Sequence, residues 1–167
     1  MLYGELSQAL VENISQQLLA LASLSNDPVK FLINARGDTF EAGIALYDLI
    51  QFVQPRVLTV ASGSVGGAAV IAYVAPPKED RLCLPNARFL LHQPKSSLSG
   101  DTDDLSSGAA AAADLRLTAN QIIARQTGQP LEKVKTDSSR DYWLGAEEAL
   151  EYGLAGRIIR SIHEAGS

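Results

Sequence analysis

The sequence is short of the residues that most often advertise chemistry. It has one cysteine, Cys83, so no intramolecular disulfide is possible, and a reducing compartment is the simplest home for it. Its histidines are His92 and His163, and no Cys or His pair has ligand spacing, so neither a metal nor another cofactor is expected. Basic residues are in deficit, 14 Lys and Arg against 19 Asp and Glu. With no surplus to neutralise phosphates, a nucleic-acid partner is excluded. No apolar run approaches the ~20 residues that cross a bilayer, and the opening MLYGELSQAL has neither the basic nor the apolar region of a secretion signal. The expectation is a cytoplasmic protein with no membrane partner. No repeat and no domain break is legible, so residues 1–167 are read as a single domain.

What the chain does have is 46% hydrophobic residues, enough for a buried core. Val11, Ile14, Leu18 and Leu21 recur at helical spacing and predict a helix over 8–24. VKFLIN (29–34) and RVLTVAS (56–62) read as buried strands, and EAGIALYDLIQFV (41–53) as a buried helix between them. A helix is expected over 64–75, broken by PPKED (76–80). Strands follow at 81–84 and 87–93, then a loop at 94–100 and one long helix over 101–126. Short helices at 130–137 and 145–153 and a short strand at 157–159 close the chain. Alternating strands and helices imply an α/β fold with a largely parallel sheet.

Chemistry is suggested first by VASGSVGGAAVIAYVA (60–75), where Ser62 and Ser64 sit among glycines between an apolar strand and a predicted helix. A serine lifted above a sheet edge there would have the positive end of the helix behind it, and the following amide, Val65, as an oxyanion donor. Tight strand–helix packing would select the same small residues, and the motif G-x-S-x-G is not met. A serine nucleophile needs a base. His92 ends the apolar strand ARFLLH, where active-site residues gather, whereas His163 lies in a polar tail and is expected to be exposed. The base in turn needs a carboxylate to fix its tautomer. In DSSRDYW (137–143) both Asp137 and Asp141 qualify, and Asp141, beside Tyr142 and Trp143, is expected to be partly buried. The Gly37–Asp38 turn after strand 29–34 offers further backbone donors at the same sheet end.

Several segments, in order, resemble one family. LPNARFLLHQP (84–94), TGQPLEKV (127–134), SSRDYWLGAEEALEYGL (138–154) and FLINARGDTFEAGIALYDLIQF (31–52) are similar to signature segments of the ClpP family, the proteolytic subunits of the Clp protease. The likeness runs from about Gly4 to Ile159. It implies that Ser64 is the nucleophile rather than Ser62, that His92 is the general base, and that Asp141 rather than Asp137 is the triad acid. It implies Val65 and Asp38 as backbone oxyanion donors, and Arg140 as an inter-ring contact. The implied fold is of the ClpP/crotonase type, stacked ββα units with a protruding handle helix, here about 101–126. The implied activity is serine endopeptidase hydrolysis of unfolded polypeptides or short peptides inside a homo-oligomer. That assembly would be a heptameric ring, alone or stacked in pairs, partnered by an AAA+ unfoldase or a ClpP paralogue. The alternative is a catalytically weak or inactive subunit acting as a scaffold with active paralogues.

The chain also departs from the family. The Ser-Pro-Gly-Gly turn of the family reads Ala35-Arg36-Gly37-Asp38 here, and Asp38 with Glu41 has the spacing of a helix capping box. The handle carries SSGAAAAA (106–113), which offers little apolar area, so weak ring stacking is expected. The chain begins near the family's first helix, so the segment lining the axial pore is expected to be missing. PPKEDR (76–81) reads as a harmless surface insertion.

Overall fold

The computed structural model describes residues 1–93 and 102–166. Its strands are β1 (Leu2–Glu5), β2 (Val29–Gly37), β3 (Val57–Ala61), β4 (Ser64–Gly67), β5 (Arg81–Cys83), β6 (Arg88–Leu91), β7 (Tyr142–Leu144) and β8 (Arg157–Ile158). Its helices are α1 (Gln8–Leu24), α2 (Phe40–Phe52), α3 (Ala68–Tyr73), α4 (Thr102–Thr127), α5 (Leu131–Ser138) and α6 (Ala146–Tyr152). The strands form one curled eight-stranded sheet in the order β7-β6-β4-β2-β3-β5-β8, with β1 added on β2. Among the described residues every pairing is parallel except β6 with β7. The α/β class and the largely parallel sheet expected from the sequence are what the chain forms.

Burial explains the elements. All five residues of β3 are buried, as expected for a strand covered on both faces. On α1 the buried face is Val11, Ile14 and Leu18, and Ser7 caps the helix by accepting from the Leu10 amide at 3.3 Å. α3 is wholly buried, and α2 crosses it so closely that a Cβ on Gly43 would lie 2.4 Å from the Ala68 carbonyl oxygen. The small residues after Ser64 therefore do serve packing. α4 is about 39 Å long at 1.5 Å per residue. Ala119, Asn120, Ile122 and Ile123 are buried in its C-terminal half, and no described side chain from 108 to 118 is. Residues 108–118 thus fall in the segment expected to form the handle.

The region around Ser64 differs from the sequence expectation. Residues 64–67 are strand, and the helix spans only Ala68–Tyr73. β3 and β4 pair in succession with β2, β3 with Val29–Ile33 and β4 with Arg36–Gly37. The break between them falls at Ser62 and Gly63, and Gly63 has φ +62°. β1 and β7 were not expected, and the predicted loop 94–100 lies outside the described residues. In PPKEDR, Pro77, Lys78 and Glu79 are exposed, as a surface segment requires, but Pro76, Asp80 and Arg81 are buried. Asp80 is buried and chelates Arg56, and Arg81 is 1% exposed, donating to the Pro76 and Gln126 carbonyls at 2.7 Å each.

Candidate active site

Ser64 is positioned by the gap in the sheet. Where β3 gives way to β4, β2 has no ladder partner at Asn34 on that side. The Asn34 side chain fills the gap, its Oδ1 accepting from the Ser64 amide at 3.0 Å. A Cβ on Gly63 would lie 2.7 Å from the same oxygen, so the turn requires glycine for space as well as for φ. Asn34 was not singled out from the sequence. The available signal was a polar residue closing the apolar run FLIN.

At the other end of β4, Gly67 has φ +57°. A Cβ there would lie 2.4 Å from the Gly37 carbonyl oxygen and 2.5 Å from His92 Nε2. The strand thus brings the histidine that follows β6 against its own backbone. Phe40, the first residue of α2, meets the His92 ring edge-on with centroids 6.0 Å apart.

A pocket of about 620 Å³ opens over this strand, lined by Ser64, His92, Asp141, Asp38, Asn34, Arg36 and Trp143 among others. Ser64, His92, Asp141 and Asp38 come from four separate segments and meet there. Ser62, in contrast, lies outside the lining, with its hydroxyl 3.4 Å from that of Tyr3. His163 is exposed in a 3₁₀ turn outside the pocket. Asp137 is committed elsewhere, accepting from Lys133 Nζ at 2.6 Å and from the Tyr152 hydroxyl at 2.8 Å. Burial, reinforced by that bond to Asp137, pushes the Tyr152 phenol well above its ordinary value. Arg140 is exposed beside the pocket's Asp141.

The groups are gathered but not linked as a relay. Ser64 Oγ is buried without a hydrogen-bond partner. His92 Nδ1 is bonded to the Gln93 carbonyl oxygen at 2.9 Å, not to Asp141. His92 Nε2 lies 3.3 Å from Asp38 Oδ1. Asp141 is exposed, not partly buried, because it precedes β7 and the chain turns inward only from Tyr142. Nor does Asp38 cap α2: the cap position is Thr39, without a side-chain bond, and the Asp38 carboxylate turns to His92 instead. The backbone at 38 has no positive φ, so the residue there need not be glycine. Val65 is fully buried and pairs with Phe89 in β6. With the Arg88 amide donating to the Gly63 carbonyl at 2.8 Å, the parallel ladder directs the Val65 N–H toward β6 rather than the pocket.

Beyond Ser64 the pocket wall is formed by Leu90 and Trp143, which pair across β6 and β7. Arg88, the register partner of Ser64, packs its guanidinium 4.7 Å from the Trp143 ring centroid. The site therefore combines a hydroxyl, an imidazole and the carboxylates of Glu5, Asp38 and Asp141 with an aromatic wall, a set that includes the groups acyl transfer needs.

Comparison with known proteins gives a consistent result. The family model described as Clp protease matches residues 1–162. The ATP-dependent Clp protease proteolytic subunit 3 of Rhizobium meliloti (strain 1021) is 45% identical over 98% of this chain and 84% of its own length. The ATP-dependent Clp protease proteolytic subunit of Paracoccus denitrificans is 40% identical, over 96% of this chain and 81% of its own. Among solved structures, ClpP1 from Listeria monocytogenes superposes with a TM-score of 0.89 at 38% identity, covering 98% of this chain and 92% of its own. A mutant of that protein superposes with a TM-score of 0.91 at the same identity and coverage.

Proposed function

Because the chain belongs to the Clp protease family as a proteolytic subunit, and so is a serine-type peptidase, we propose that it hydrolyses unfolded polypeptides or short peptides with Ser64, His92 and Asp141. The observation that carries this reading is the meeting of those three residues in one pocket, from segments far apart in sequence. Ser64 Oγ attacks the scissile carbonyl, and His92 takes its proton and returns it to the leaving amine. Asp141 orients the ring and stabilises its charged form. Water then cleaves the acyl-enzyme by the same route. The Val65 and Asp38 amides hold the oxyanion, which requires the Val65 amide to turn from β6. His92 must likewise leave Asp38 and Gln93 to reach Ser64 and Asp141, so productive binding reorganises the pocket.

The working unit is residues 1–167 as one peptidase domain in the cytoplasm, assembled in heptameric rings with an AAA+ unfoldase or a paralogue as partner. Exposed apolar side chains on α1 and α2, Leu21, Leu24 and Phe52, offer surface that a ring would cover. No described helix is long and apolar enough to cross a membrane. A scaffold role with active paralogues is not favoured. The test is hydrolysis of a fluorogenic peptide with labelling by a fluorophosphonate probe. The assembled protein is expected to do both, and Ser64→Ala neither. An assembled wild-type protein that does not label contradicts the proposal.

A further inference from the structure

Arg36 is a cation in the pocket that the fold leaves uncommitted. Glu5, Arg36, Gly66, Leu90 and Trp143 are successive register partners across β1, β2, β4, β6 and β7, so they form one row over the sheet. Side chains alternate along a strand, so this row shares a face with Ser64, two residues earlier on β4. Gly66 leaves the middle of the row open, and the Arg36 stem lies over it. A Cβ on Gly66 would lie 3.0 Å from Arg36 Cγ, 3.3 Å from its Cδ and 3.2 Å from Leu90 Cβ. The root of the side chain is fixed, because the Arg36 carbonyl accepts from the Leu6 amide at 2.8 Å while β2 pairs with β4 on its other side. Its guanidinium, in contrast, has no hydrogen bond or ion pair among the described residues, although Glu5 is its neighbour in the row. Arg56, Arg81, Arg88 and Arg125 each meet a carboxylate, a carbonyl, an aromatic ring or a hydroxyl.

We propose that Arg36 is a specificity-determining residue that receives a substrate carboxylate, so that cleavage is favoured where Asp or Glu lies within two residues of the scissile bond. Gly66 lies about 7 Å beyond Ser64 along β4, and β2 about 4.8 Å to its side. A peptide with its scissile carbonyl at Ser64 Oγ advances about 3.3 Å per residue, so its first or second neighbour comes level with Arg36. A guanidinium offers a carboxylate two parallel N–H bonds, which fix geometry as well as charge. Glu5, Asp38 and Asp141 line the same pocket and oppose an incoming anion. They are exposed, so water and salt screen them, whereas Arg36 acts by contact. Where the family's turn has proline this chain has a cation, so the contact is no part of the family's shared hydrolysis. The inference rests on the Ser64 role proposed above.

The experiment is hydrolysis of internally quenched peptides that differ only in carrying Glu, Gln or Lys at each of the two positions on either side of the scissile bond. The assembled wild type, R36Q and R36E are compared by kcat/KM, with the cut located by mass. Wild type is expected to favour Glu over Gln by about two- to fivefold at one of these positions, the range of a part-exposed ion pair, and raised salt narrows that ratio. R36Q brings the ratio to one or below, and R36E turns the preference to Lys. Ratios within one protein cancel any change in the amount of assembled enzyme, and a merely structural role for Arg36 would not move them. If a variant fails to assemble, the wild-type ratio and its response to salt decide. Equal rates for the three peptides in wild type, a preference for Lys at every position, or a Glu preference that survives in R36Q overturns the role of Arg36 while fluorophosphonate labelling of Ser64 stays intact. Absence of labelling in the assembled wild type overturns the Ser64 assignment and this inference with it.

Discussion

Asp137 and Asp141 differ by four positions in sequence and by everything around them. Asp137 is tied to Lys133 and Tyr152, whereas Asp141 faces the pocket of Ser64 and His92. Asp141→Asn is expected to lower kcat by about four powers of ten with KM little changed, the scale for losing a triad acid. Asp137→Asn is expected to cost about 1 kcal/mol of stability through its weakened bonds and to leave kcat unchanged. Steady-state peptide kinetics with thermal melts separate the two. A larger kinetic loss at Asp137 contradicts the assignment. Spacing alone left these two acids open, and the family resemblance chose between them. Asp38 was the reverse case. Its spacing to Glu41 fitted a capping box, but the helix starts at Phe40, one residue too late for Asp38 to cap it, and the carboxylate is left to find His92. Asn34 showed only as a polar residue closing FLIN, because its role depends on a gap between β3 and β4 that no local pattern records.

At the scale of the element, β4 decides the site. Residues 64–67 were expected to begin a helix, since Val-Gly-Gly carries no periodicity and alanines follow. Pairing with β2 and β6 overrides that local preference. The longer periodic segments, α1, α2 and α4, were legible to within a few residues, because each buries a regular face or runs for many turns. β1 and β7 were not, being four and three residues long and short of alternation. The dependence of the site on β4 is testable at Gly67. With φ +57° and a Cβ that would lie 2.4 Å from the Gly37 carbonyl oxygen, Gly67→Ala is expected to lose about 1–3 kcal/mol of stability from strain alone. His92 Nε2, 2.5 Å from the same Cβ, would be displaced too, so labelling of Ser64 falls with it. A variant with wild-type melting and labelling would show that β4 has room that this geometry denies.

At the scale of the whole molecule, the proposed stacking of rings is expected to depend on the handle. Its alanines at 109–113 are exposed or half-buried and add little area that a second ring could cover. At ~25 cal/mol per Å² of apolar surface, each leucine in their place would contribute several times more. Native mass measurement is expected to show single heptamers beside double rings, and Ala110→Leu with Ala111→Leu is expected to shift the balance to double rings. A salt-resistant tetradecamer as the sole wild-type species contradicts this. Ring assembly and reorganisation of the pocket meet in the same functional claim, that Ser64 is acylated inside the assembled protein. The most direct measurement is to react the assembled protein with a fluorophosphonate and locate the adduct by peptide mass mapping. The account predicts one adduct, on Ser64, lost in His92→Ala. An adduct on Ser62 or another residue, or none at all, would contradict it.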